Sequence, residues 1–290
     1  MSSKKIRPIQ GKVVRAVQET PEAWTLEIEV APQDKEYTAG QFLSISPHQF
    51  PELSELIAYL EYKKGRKELI RAYSIASAPY EPYVAITTKP ERFYPEETLY
   101  PPLLSPLLAS NALLGRPLEF LGYTGAYVLD PAHGEHTDEV LHWVAGSGAV
   151  PNFALLKDEL TQNKNPHVVH TLIDVNKSFE DIIYQKQFDD LAARYPNRFK
   201  LIHFLTREED PKRHGDNYFA GRPTLEQVRS YVKDPASVLV YSCGAAVTKW
   251  QKQKAKEQGV EPKPRFLESV GEIVTALGVD RKRFKREIYG

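Results

Sequence analysis

Only one cysteine, Cys243, occurs in 290 residues. A single thiol excludes an internal disulfide, and it equally excludes an all-cysteine zinc site or iron–sulfur cluster built within one chain. A surplus of one charge is missing too: Lys+Arg and Asp+Glu both total 38, and the formal net charge is zero. Nucleic-acid binding through bulk phosphate neutralisation needs excess Lys and Arg, so that class is set aside. No apolar run approaches the roughly 18–20 residues that span a bilayer. The opening MSSKKIRPIQ has basic residues but neither the apolar stretch nor the small-residue cleavage site of a secretory signal. The expectation is a soluble protein of a reducing compartment, the cytoplasm. There is also no G-x-S-x-G elbow, and no Ser/His/Asp set with supporting context, for nucleophilic hydrolysis.

What the chain does contain changes character partway along. Residues 6–130 hold short β-type runs, KVVRAVQET, AWTLEIEVA, QFLSISP, IRAYSIASA, YVAITTK and RPLEFLGYTGAYVL, separated by Pro, Gly or charged turns. These predict an antiparallel barrel or sandwich. A proline-rich piece then turns helix-like in SPLLASNALLG, and the polar DPAHGEHTDE, residues 130–139, reads as a linker. Beyond it strands and helices alternate: VLHWVAG, PNFALLKDELTQ, HVVHTLIDV, FEDIIYQKQFDDLAARY, FKLIHFLT, PTLEQVRSYV and SVLVYSCG. That alternation predicts a doubly wound parallel sheet. The expected domains are 1–132, an antiparallel β-barrel, and 133–290, an α/β unit. The lysine-rich KWQKQKAKEQG reads as a solvated helix face.

Several residues could carry chemistry. Arg71, Tyr73 and Ser74 crowd into four residues of an otherwise apolar strand; the arginine there must reach the surface or meet an anion, because an unpaired buried charge is costly. VAGSGAVPN sets Gly146 and Gly148 between a strand and a helix, where glycines admit a pyrophosphate close to the backbone, although Pro151 stands where the usual fingerprint has a third glycine. Cys243 and Gly244 end a later strand of the same sheet, where open α/β sheets bind ligands; a buried small hydrophobe is the equal alternative for the thiol. Thr206 and Arg207 at another strand end could hold an extra phosphate, whereas Asp174 after HTLI points to ribose hydroxyls instead. Spacing does not separate those two. Of the histidines, His133 and His136 fall in the polar stretch, and His167 and His170 alternate across a strand. No further ligands complete a zinc pattern, so no metal site is expected.

Taken in order, RAYS, GSGAVP, TREE and SCG resemble the ferredoxin–NADP⁺ reductase family, from about Lys12 to Tyr289. The resemblance implies FAD on the first domain. Arg71 would meet the flavin phosphate, Tyr73 would lie along the isoalloxazine ring and Ser74 would hydrogen-bond near N5, with Ala72, Thr88 and Ser105 completing the site. Ser105 lacks the glycines of the family's phosphate loop, and Tyr123 replaces a proline in GYTGAYVL. FMN stays open as the flavin. On the second domain the resemblance implies NADP(H), tipping the balance towards Thr206 and Arg207 at the 2′-phosphate, with Tyr218 at the adenine. Gly146, Ser147, Gly148 and Pro151 would hold the nucleotide, and Cys243 and Gly244 would approach the nicotinamide; Ala245 replaces the family's proline there. Glu287 would relay protons and Tyr289 would stack on the flavin, with Gly290 an extra residue, so the implied catalytic set is Ser74, Cys243, Glu287 and Tyr289. The implied activity is electron transfer from NADPH through flavin to a separate acceptor, a ferredoxin-like or oxygenase protein. A reductase of free flavin, ferric complexes or quinones is the alternative enzyme, and a non-catalytic regulatory subunit the alternative of another class. Monomer or dimer is left open.

Overall fold

The computed structural model describes residues 7–90, 92–94 and 98–289; Gly290 and the first six residues lie outside it. The chain divides between Val128 and Leu129 into two compact units.

In the first unit, alternating apolar and polar residues form β1 (Arg7–Gln18) and β2 (Trp24–Val30), paired antiparallel from Gly11↔Val30 to Gln18↔Trp24. β3 (Phe42–Ile45), β4 (Arg71–Ser74), β5 (Val84–Thr88) and β6 (Pro117–Thr124) complete a sheet of order β4-β3-β6-β1-β2-β5. A bridge between Ile75 and Ile86 joins its two edges, so the sheet closes on itself as a barrel. Val13, Leu26, Ile28, Leu43, Ile45, Ile86, Leu118 and Phe120 fill the interior. Between β3 and β4 runs α1 (Ser54–Lys64), which the β-type pattern of this region does not include. It buries Ile57 and Leu60 against Leu103 and stops at Gly65, whose φ of 63° is the left-handed end that glycine supplies. SPLLASNALLG yields only one helical turn, α2 (Ser105–Leu108).

In the second unit the parallel strands are β7 (Glu139–Ala145), β8 (Val169–Asn176), β9 (Phe199–Leu205), β10 (Tyr218–Ala220), β11 (Leu239–Gly244) and β12 (Phe284–Ile288), ordered β10-β9-β8-β7-β11-β12. The chain steps outward one way from β7 to β10, then returns to place β11 on the other side of β7. That reversal is where open α/β sheets bind ligands. α3 (Ala149–Thr161) and α4 (Gln185–Arg194) pack on one face; α5 (Leu225–Tyr231) and α7 (Phe266–Leu277) pack on the other, over Leu141, Trp143, Ile173, Phe204 and Val240. The solvated helix α6 (Lys249–Glu257) precedes α7. Two departures from the expected elements stand out. The helix expected over 179–195 begins only at Gln185, because Tyr184 adopts a φ of 64° and breaks it from the turn Phe179–Asp181. The stretch 130–139 is not a free linker, since His133 is buried and Glu139 already belongs to β7.

Candidate functional site

β7 ends at Ala145, and the chain turns through Gly146–Gly148 into α3. The two glycines differ. Gly146 has a φ of 53° with open space where a Cβ would stand, whereas a Cβ on Gly148 would lie 2.1 Å from the carbonyl oxygen of Cys243. Gly148 is therefore the point at which the turn closes on the end of β11, and Gly146 leaves the outer side of that turn bare. Ser147 lies between them and Pro151 is buried in the first turn of α3. Gly244 is tight for another reason, its missing side chain being replaced by the Phe266 ring.

Cys243 is wholly buried, and burial pushes its thiol well above the ordinary range, with the nearby Glu287 carboxylate acting in the same direction. A neutral, buried thiol is a packing group and not a nucleophile at neutral pH. The parallel register sets Glu287 opposite Cys243, and the Tyr289 N–H donates to the Gly244 carbonyl at 2.9 Å. Five positions singled out in the sequence, Gly148, Cys243, Gly244, Glu287 and Tyr289, thus lie together at the carboxyl ends of β7, β11 and β12.

Thr206 and Arg207 follow β9 at the same sheet edge. The backbone N–H and Oγ1 of Thr206 both donate to the Asn176 carbonyl, while Arg207 is exposed and makes no side-chain ion pair among the described residues. Tyr218 is buried: its ring stacks on His203 at 4.6 Å and tilts against Phe179, and burial pushes its hydroxyl up to about 12. Its ring is taken up inside the unit, so stacking on an adenine would require it to leave His203. Asp174 does not reach the edge at all. It is fully buried, 3.3 Å from the His203 Nδ1 and level with it across β8 and β9, which removes it from contact with a ribose. Asn176, at the end of β8, has an unpartnered buried donor in its Nδ2. Sequence reasoning misses it, although it is two positions beyond Asp174 and on the same face.

On the barrel, β4 pairs with β3 from Phe42↔Ser74 to Ile45↔Arg71. The anion met by Arg71 is Glu68, whose buried carboxylate also takes Lys64 Nζ at 2.6 Å. Burial opposes ionisation of Glu68, yet the hydrogen bonds from Lys64 and Arg71 hold its carboxyl below the usual range. Two cations against one carboxylate leave a unit of positive charge. Ala72 is exposed, Tyr73 half-buried against the barrel core and Ser74 buried. The Ile75–Ile86 bridge carries a register that brings Thr88 level with Tyr73, and the Thr88 Oγ1 is buried without a hydrogen-bond partner. Ser105 opens the short α2 and caps nothing. A residual positive charge, a half-buried aromatic ring and an unpartnered hydroxyl fit a flavin phosphate and ring; a bare glycine turn and an exposed guanidinium fit a phosphorylated nucleotide.

Residues 144–251 match the family model for the oxidoreductase NAD-binding domain. The ferredoxin reductase component of the 3-ketosteroid-9-alpha-monooxygenase of Rhodococcus rhodochrous is 25% identical over 222 residues, 76% of this chain and 50% of that protein. The chain spans about half the length of the curated relatives it matches first. Among solved structures, the FAD/NAD-binding domain of the nitric oxide dioxygenase of Vibrio cholerae superposes with a TM-score of 0.69 at 20% identity, covering 97% of this chain and 98% of that one. The ferredoxin–NADP⁺ reductase of Plasmodium falciparum with bound 2′P-AMP gives 0.66 at 17% identity, covering 98% and 97%.

Proposed function

We infer that the chain is a member of the ferredoxin–NADP⁺ reductase family and an NAD(P)H-dependent flavoprotein reductase, one that takes electrons from NADPH and delivers them, through FAD, to a separate redox protein. The observation that carries this reading is the meeting of the Gly146–Gly148 turn with Cys243–Gly244 at the strand reversal between β7 and β11. Flavin and nicotinamide, when bound, supply the hydride and electron chemistry, and the protein supplies orientation and electrostatics.

The chain's own residues divide that work. Gly146 and the amino end of α3 would hold the nucleotide's diphosphate, and Cys243 would offer the nicotinamide an apolar contact. Glu287, half-buried opposite Cys243, would relay a proton. Arg207 fits the 2′-phosphate that distinguishes NADPH from NADH, with Thr206 beside it. On the barrel, Arg71 offers charge to the flavin phosphate, Tyr73 a flat flank, and Ser74 and Thr88 their hydroxyls. The Rhodococcus relative is named as the ferredoxin reductase component of a monooxygenase, which supports a protein acceptor over a small molecule.

Purified chain is expected to carry yellow FAD that NADPH bleaches under anaerobic conditions. In Arg207→Ala the apparent constant for NADPH should rise by at least tenfold, the effect of about 1.5–3 kcal/mol for a charged hydrogen bond, while NADH is nearly unaffected. Equal losses for both nucleotides would remove the 2′-phosphate role, and a FAD-loaded chain that neither nucleotide bleaches would overturn the function itself.

The barrel site makes a paired prediction. Arg71→Ala removes one cation and should weaken FAD by roughly tenfold to a hundredfold, whereas Glu68→Gln removes the competing anion and should tighten it. Titration of FAD into the two apoproteins reads both. Weakening in both variants would mean that the Lys64–Glu68–Arg71 set only shapes the loop.

A further inference from the structure

The face of the sheet beneath α3 and α4 carries four fully buried polar residues: His142, His170, Asp174 and His203. Two of them, His142 and His170, belong to a cluster at the end of the sheet remote from the glycine turn. His133 comes from the turn before β7, Glu159 from the last turns of α3 and His170 from the start of β8. Glu159 lies eleven residues beyond Gly148, about 16 Å along the helix axis at 1.5 Å per residue.

The hydrogen bonds around the cluster decide which nitrogens carry protons. The His133 Nδ1 is 2.7 Å from the Asp130 carbonyl, which can only accept, so that nitrogen donates; the Asn165 amide, at 3.5 Å, is too far to compete. In the neutral ring that leaves a lone pair on His133 Nε2, 3.6 Å from the Glu159 Oε2. The second ring is set by a relay. Asn152 turns its Nδ2 to the Gly148 carbonyl and its Oδ1 to the His142 Nδ1, at 2.8 Å. His142 therefore donates from Nδ1 and accepts at Nε2, 3.1 Å from the His170 Nδ1. His170 donates in turn and presents a bare Nε2.

Three acceptors now converge with no donor among them. His133 Nε2, Glu159 Oε2 and His170 Nε2 are all buried and lack a hydrogen-bond partner, and they lie within 4.8 Å of one another. Lone pairs and a carboxylate facing each other in a dry interior repel unless a cation sits between them. We propose that His133, Glu159 and His170 form a structural site for a divalent transition-metal ion of the zinc type. Two imidazoles and one carboxylate suit zinc, whereas calcium and magnesium take six or more oxygens. Both rings have their outer nitrogens hydrogen-bonded, to a carbonyl and to the His142–Asn152 relay, which is the support that metal-bound histidines carry. A tetrahedral ion at about 2.0–2.1 Å spaces its ligand atoms ~3.3 Å apart. His133 and Glu159, at 3.6 Å, are nearly so placed, and the His170 ligand atom lies within 4.8 Å of both. A water takes the fourth position, the second Glu159 oxygen being engaged by the Asn165 amide. The ion would fasten the turn before β7 to α3 and β8, in a place without access to substrate, so its work is in holding the fold.

Full-length, untagged chain, incubated with Zn²⁺ and passed through a desalting column, should retain about one zinc per chain by mass spectrometry. Its melting temperature should rise by several degrees with Zn²⁺ and fall back with EDTA. Co²⁺ in place of zinc should give visible bands of a low-coordinate site. Glu159→Gln, which keeps the shape and loses the charge, and His170→Gln should each weaken Zn²⁺ binding at least tenfold, the scale on which ligand sets respond; exposed His167→Gln should not. No retained metal and no thermal shift in the parent chain would overturn the site without recourse to any variant, and would mean that the three groups share a proton instead. Binding of equal strength in the parent and in Glu159→Gln would place the metal elsewhere and overturn the assignment as well.

Discussion

Gly148→Ala should abolish most nicotinamide-dependent reduction while leaving flavin on the barrel. The added Cβ would stand 2.1 Å from the Cys243 oxygen, 2.5 Å from its carbonyl carbon and 3.0 Å from the Gly244 nitrogen. All three are backbone atoms, so no rotamer relieves the contact, and the turn must lift away from β11. Overpacking of this kind costs about 1–3 kcal/mol or more in stability, and a displacement of about 1 Å at a site that aligns reactants lowers rate by ~100-fold. Gly146→Ala tests the outer side of the turn instead. Its Cβ meets no protein atom, so the fold bears only the positive φ, about 1–2 kcal/mol, while the methyl stands on the side assigned to the diphosphate and should raise the apparent constant for NADPH more than it lowers the rate at saturation. Anaerobic stopped-flow reduction of both variants by NADPH, with flavin content measured beside it, checks the contrast. Equal rates for the two would mean that closure of the turn on β11 does not position the nucleotide.

His203→Leu should be among the most destabilising single changes in the second unit. It leaves the Asp174 carboxylate fully buried with its partner gone, and breaking a buried pair from one side costs about 3–5 kcal/mol. Asp174→Leu leaves a buried imidazole without its polar partner, with a smaller cost of about 1–3 kcal/mol. The double variant, with two apolar residues side by side across β8 and β9, should recover much of the loss, because well-packed apolar replacements of buried pairs are often neutral. Urea unfolding of the three variants measures the coupling; strictly additive losses would show that the two side chains act independently. The pair also backs Tyr218, whose ring lies on His203, so His203→Leu should loosen the sheet edge that bears Arg207. Asp174→Asn, by contrast, should not change the preference between NADPH and NADH.

Asp174 also marks where reading a sequence stops. All six barrel strands, and β7, β8, β9 and β11 with the helices between them, are visible because period-two patterns and proline or glycine turns are local, whereas β10, α7 and β12 are not among the expected elements. The glycines at 146 and 148 are visible too, though not that one serves the opening and the other the closure, since that depends on β11 arriving 95 residues later. Asp174 looks like a strand-end acid, yet β8 runs two residues further and turns it inward against His203. Arg71 demands an anion, but the strand pattern does not single out Glu68, three residues before it. α1 is hidden among β-type runs because it buries only Ile57 and Leu60 and leaves Tyr62 in water. Taken pair by pair, the histidine spacings do not describe ligands, and the geometry agrees within each pair: His167 is exposed while His170 is buried. What no local spacing contains is one member of each pair meeting a glutamate from α3.

In the barrel a bridge between Ile75 and Ile86 ties the end strands together. The parallel sheet is different: among the described residues β10 and β12 end it on either side, the kind of border that invites another chain to add a strand. Both borders are made inhospitable. β10 offers only three residues, and β12 reads Phe-Lys-Arg-Glu-Ile, so an incoming strand would meet a row of charges. Resistance to clumping in this protein therefore rests on Lys285, Arg286 and Glu287. A chain with the first two replaced by valine and threonine should keep its fold yet scatter light on storage at concentrations where the parent stays clear.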